Sequence, residues 1–76
     1  MEDTKINIIY KEFQSNYFLF LAYSGKKDKL SRRFANECYI KYSTIETILN
    51  ELEEPKEEIL KAKEEMRNEY TRSLID

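Results

Sequence analysis

The sequence contains no histidine and no tryptophan, and only one cysteine, one glycine and one proline in 76 residues. A lone Cys38 closes no internal disulfide, and without histidine it has no partner for a zinc site. Cys38 also lacks an imidazole base, which favours a buried structural thiol over a nucleophile. One glycine is too few for a phosphate-cradling loop. Long apolar runs are missing too: the longest, Tyr17 to Tyr23, has seven residues, far below the roughly 20 that span a bilayer. The first residues, MEDTK, have neither the basic start nor the apolar stretch of a secretory signal. These absences point to a non-enzymatic binding module in a reducing cytoplasm, with no membrane, metal or cofactor.

What is present suffices for one core. The chain is 41% hydrophobic and 13% aromatic, yet 37% charged, which suits a single globular domain over residues 1 to 76 with a heavily solvated outside. The carboxylates of ELEEPKEE and KEEMRNE lie on solvated helix surface. Acid-base chemistry needs two held in contrasting environments, so these read as solubilising charge. The net charge of -2 hides a split. Residues 25 to 41 hold six basic and two acidic side chains, whereas residues 46 to 69 hold nine acidic and four basic ones. A basic surface thus adjoins an acidic helix, and with no covalent staple the small domain is expected to gain stability by self-association.

Along the chain, Ile6, Ile9, Tyr10, Phe13, Tyr17, Phe20 and Leu21 fall on one helical face, although β-branched and aromatic content there also fits two strands around Gln14-Ser15-Asn16. Ser24-Gly25-Lys26-Lys27-Asp28-Lys29 ends that element and opens a loop. Ser31 is placed to cap a short helix, Arg32 to Cys38, with Leu30 as a staple before it. Ser43-Thr44-Ile45-Glu46 has the spacing of a capping box, and Ile45, Ile48, Leu49 and Leu52 follow at helical intervals. Pro55 suits the first turn of a further helix, 55 to 74, with Ile59, Leu60, Lys63, Met66, Tyr70 and Leu74 along one side.

Residues 30 to 52, LSRRFANECYIKYSTIETILNEL, therefore predict two short helices around a tight turn, in which Phe34, Ala35 and Cys38 face Ile40, Ile45 and Ile48. This stretch resembles the helix-turn-helix and winged-helix transcription regulators, where a segment of the form STIxxILxELE, here Ser43 to Glu53, is the recognition helix. The preceding FLFLAYSGKKDKLSRRFANE is similar to the earlier helices of such domains, so the resemblance covers residues 17 to 54. The turn position usually given to glycine is Tyr39, and no Arg or Lys lies between Tyr42 and Glu54. The resemblance implies a small DNA-binding transcriptional regulator. Tyr42, Ser43, Thr44, Thr47 and Asn50 would meet bases or phosphates, and Lys26, Lys27, Lys29, Arg32, Arg33 and Lys41 would contact phosphates.

The expected architecture is all-α, with a helix-turn-helix core at 30 to 54 and a long C-terminal amphipathic helix. That last helix is expected to pair two subunits through Ile59, Met66 and Tyr70. An alternative makes Arg33 to Tyr42 a strand in an α+β fold of three antiparallel strands followed by two helices. Its function would be that of a small acidic protein-binding inhibitor or adaptor, of the kind mobile elements encode.

Overall fold

The computed structural model describes residues 2 to 75, with side-chain surroundings from Lys5 onward. Three helices follow one another: α1, Glu2–Ser24, α2, Lys29–Glu51, and α3, Lys56–Ile75. No strand occurs among the described residues, so the fold is all-α and the three-stranded alternative is not supported. Residues 14 to 16, a possible hairpin turn, are helical. The Gln14 amide donates to the Ala62 carbonyl at 3.2 Å, and Asn16 Nδ2 donates to the Glu12 carbonyl at 2.9 Å. Polar groups that would have turned a hairpin instead bond to the helix itself and to its neighbour.

The helical face read along α1 forms the core. Phe13 and Tyr17 are buried with Tyr42, Leu49, Ile59 and Ala62, and Ile9, Tyr10, Phe20 and Leu21 pack against them. Tyr42 is central to the aromatic packing, lying 6.1 Å from Phe13, 5.0 Å from Tyr17, 5.5 Å from Phe20 and 5.4 Å from Tyr39 between ring centroids. Edge-on and tilted geometries of this kind are favourable because a positive ring edge meets a negative ring face. α3 docks by burying Ile59 and Ala62. It is further tied down by an ion pair from Lys63 to Glu46 at 2.9 Å and by Tyr70 edge-on to Phe18.

The expected helix-turn-helix is not formed. α2 runs unbroken from Lys29 to Glu51, through Tyr39 and through the Ser43 expected to start a new helix. Its cap is Asp28, whose carboxylate accepts from the Ser31 amide at 3.0 Å, three residues before the expected cap at Ser31. The Ser43-to-Glu46 box is replaced by interior bonding: Thr44 and Thr47 hydroxyls donate to the carbonyls of Ile40 and Ser43 at 2.8 and 3.1 Å, and Glu46 turns to Lys63. α2 ends where Leu52 caps it and Glu53 adopts φ 62. The Glu54 amide bonds to the Leu49 carbonyl and the Glu53 amide to the Asn50 carbonyl, both at 3.0 Å. This is a Schellman ending, built on a glutamate where glycine is usual.

Candidate functional site

Two surfaces stand out, and both belong to α2. The first is the corner between α1 and α2. The loop after Ser24 is tight, with the Lys26 amide bonded to the Tyr23 carbonyl and the Lys26 ammonium 5.0 Å from the Tyr23 ring centre. Because Asp28 starts α2 directly after this loop, Lys26, Lys27, Lys29, Arg32 and Arg33 converge on one exposed corner. The hydrogen bond from Ser31 holds the Asp28 carboxyl below its usual pKa, so it remains ionised as the one acid of the corner.

The remaining residues expected to touch nucleic acid do not join them. Lys41 is exposed but lies eight residues beyond Arg33, about 12 Å along the helix. Tyr42 is buried, so it is unavailable to a base or phosphate. Its phenol is held above the ordinary pKa chiefly by that burial. Thr44 and Thr47 are exposed, with hydroxyls engaged by their own helix. Asn50 points elsewhere, lining a shallow groove with Glu46, Lys56, Ile59 and Leu60 of the α2–α3 side. On the continuous helix Ser43, Thr44, Thr47 and Asn50 fall within about 120° of the circumference while Tyr42 is turned to the core, so the five do not compose one reading face.

The residues expected to pair subunits are also spent inside one chain. Ile59 is buried in the core, Met66 packs against it, and Tyr70 is half-buried against Phe18. Among the described residues no three acidic, cysteine or histidine side chains are grouped to hold a metal ion. Nor is any helix long and apolar enough to cross a membrane.

The second surface was not legible as one. Leu30, Phe34, Ile48 and Leu52 are 76%, 38%, 42% and 51% exposed. Together with Lys41 they are spaced by four, seven, seven and four residues, which confines them to about 40° of the helix circumference. That stripe faces away from α3, because the α2 residues meeting α3, Glu46 and Leu49, lie well round the helix from it. Beside the stripe runs an open groove lined by Glu12 and Asn16 of α1 and by Ile40, Lys41, Thr44 and Ile45 of α2. Ile8, one turn before Glu12 on the same side of α1, is also exposed. Once a turn is placed at Tyr39, Phe34 and Ile48 become core residues of separate helices. Only the continuous helix puts them in line.

Fold and surfaces together define a three-helix domain with a basic corner and an apolar stripe on its middle helix, in which Phe34 packs edge-on against Tyr23 of α1 and Leu30, Ile48 and Leu52 are exposed. No protein-family model matches the chain, and no curated protein or solved structure matches it significantly.

Proposed function

We propose that the chain is a non-catalytic interaction module that binds a protein partner through the outward stripe of α2, in the manner of a small inhibitor or adaptor of the reducing cytoplasm. The carrying observation is that four large apolar side chains share one narrow, solvent-facing stripe. Scattered exposed apolar residues are ordinary, whereas large apolar side chains aligned on one helix face among charged residues supply anchors of the kind protein interfaces use. The test is capture with the full tagged chain and with Ile48→Glu from the cells that encode it. A partner retained by the first and lost by the second is expected. Identical captures by both would discard the stripe as the binding surface.

The basic corner supports a second reading, a DNA-binding regulator that holds duplex backbone through Lys26, Lys27, Lys29, Arg32 and Arg33. In this reading the continuous α2 rules out groove entry by a helix-turn-helix, and contact is with phosphates. Five phosphate contacts predict a log-log slope of affinity against salt near about -4.5. Binding that is absent at low salt, or flat with salt, removes this reading.

A further inference from the structure

From the stripe, the charge distribution and the surface area, we infer that the occupant of the α2 stripe is a second copy of this chain, packed antiparallel across a two-fold axis at Lys41. The inference rests on the reading of the stripe as an interaction surface and supplies its partner.

The area argues for a partner of substantial size. The chain exposes 6056 Å², against about 4,900 Å² for a compact monomer of its mass. The excess, on the order of 1,100 Å², compares with the roughly 800 Å² each side contributes to a standard interface. The radius of gyration of 13.2 Å likewise exceeds the roughly 11.4 Å expected at this length. One copy alone leaves more surface in water than a compact monomer of its mass.

The spacing argues for self-complementarity. Four, seven, seven, four is its own reverse, so an inverted second copy sets Leu30 against Leu52 and Phe34 against Ile48, twice over. A two-fold interface requires this reciprocity of one surface with itself. Lys41 meets its own symmetry mate at the centre, a like-charge contact tempered by Glu37 one turn away and by Glu12 across the groove.

The charges choose the direction. Residues 26 to 33 carry five cations and one carboxylate, +4, while residues 51 to 58 carry five carboxylates and one cation, -4. These ends are separated by the length of α2, about 34 Å, several times the roughly 8 Å over which charges are felt at physiological salt. They therefore do not neutralise one another within a chain. A parallel pair would place +4 on +4 and -4 on -4. The antiparallel pair places the basic end of each copy beside the acidic end of the other.

The test is solution mass by sedimentation equilibrium on the full chain over a concentration series. Wild type is expected to approach twice the 9.2 kDa chain mass, with dissociation promoted by added salt. Ile48→Glu, which puts a carboxylate at two symmetric apolar contacts, should weaken association by on the order of a hundredfold. Lys29→Glu, which halves the charge of the basic end, should weaken it about twofold to fivefold at each of the two symmetric ends, and adding Glu53→Lys to the same chain, which halves the charge of the acidic end, should weaken it further. Both charge reversals suit the α2 dipole, an acid in its first turn and a base after its last, so loss of association by Lys29→Glu is not loss of fold. A mass that stays monomeric, or a dimer indifferent to Ile48→Glu, overturns the inference. A dimer strengthened by Lys29→Glu overturns the antiparallel arrangement. A monomer that still captures another protein in a manner lost with Ile48→Glu leaves the interaction-module reading standing, whereas a monomer without such capture removes both.

Discussion

Glu53 sits in the left-handed region at φ 62, where its Cβ crowds the backbone and glycine would not. Glu53→Gly should therefore raise stability by about 0.5 to 1 kcal/mol, the relief of strain exceeding the greater chain entropy of glycine. A lower urea midpoint for the variant would show the strain to be absent. Leu49 and Phe13 are the largest fully buried side chains, and Leu49→Ala is expected to cost about 2 to 5 kcal/mol, read from the same urea titration. Tyr10 donates to Glu54 at 3.0 Å, and desolvation followed by the Glu54 hydrogen bond and charge pushes its pKa to about 12. The raised value means that Tyr10's stabilisation is whole below the ordinary tyrosine pKa and disappears as pH rises through about 12. An ultraviolet titration should show two of the six tyrosines, Tyr10 and Tyr42, ionising late, and Tyr10→Phe should delete the phase at about 12 while leaving the other. A Tyr10→Phe titration in which two phenols still ionise late would assign the phase to another tyrosine. The Glu54 partner, 44 positions away, could not be read from sequence, because nothing local encodes which carboxylate a tyrosine meets across two helices.

The elements were legible to the extent that their periodicity was uninterrupted. Ile6 through Leu21 gave the correct face of α1, and Ile59, Met66 and Tyr70 gave the inner side of α3, though as an intersubunit rather than an intrachain surface. α2 was divided because Ser31, Ser43 and Glu46 have the spacing of helix starts, a signal local to a few residues. The structure satisfies those side chains another way. Asp28 takes the cap, Thr44 and Thr47 bond backward into the helix, and Glu46 pairs with Lys63. Moving Tyr42 from the surface to the aromatic core follows from the same continuity, since a turn at Tyr39 resets the helical phase and an unbroken helix keeps it. The continuity has a direct test at Ile40, which is 55% exposed and lies within the expected turn. Ile40→Ala and Ile40→Gly remove the same side chain and differ only in backbone preference. In a continuous helix the glycine variant should be less stable than the alanine variant by about 1 kcal/mol. Equal stability, or a more stable glycine variant, would restore the turn.

At the scale of the whole molecule, the three helices are not held equally. α1 and α2 share the aromatic cluster around Tyr42, whereas α3 contributes Ile59 and Ala62 to the core in its first half and only half-buried Met66 and Tyr70 beyond them. Its other ties include an ion pair that water reaches, with the Lys63 ammonium also over the Tyr17 and Tyr42 rings, and Gln14 hydrogen bonds to the Ala62 carbonyl and the Glu65 carboxylate. Partly exposed pairs of this kind contribute at most about 1 kcal/mol. Most of a helix's stability in a protein comes from its tertiary packing, and that packing thins along α3, so fraying and undocking proceed from the end of α3 inward. Native-state hydrogen exchange is therefore expected to be fastest over Thr71 to Ile75, intermediate around Ile59 to Met66, and slowest at Phe13 to Tyr17 and Cys38 to Leu49, where opening requires global unfolding. Lys63→Ala should speed exchange in α3 while leaving the centre of α1 unchanged. If exchange in α3 instead matched that of α1 residue for residue and responded together with it, the three helices would open as one unit. The ranking drawn from their packing would then be wrong.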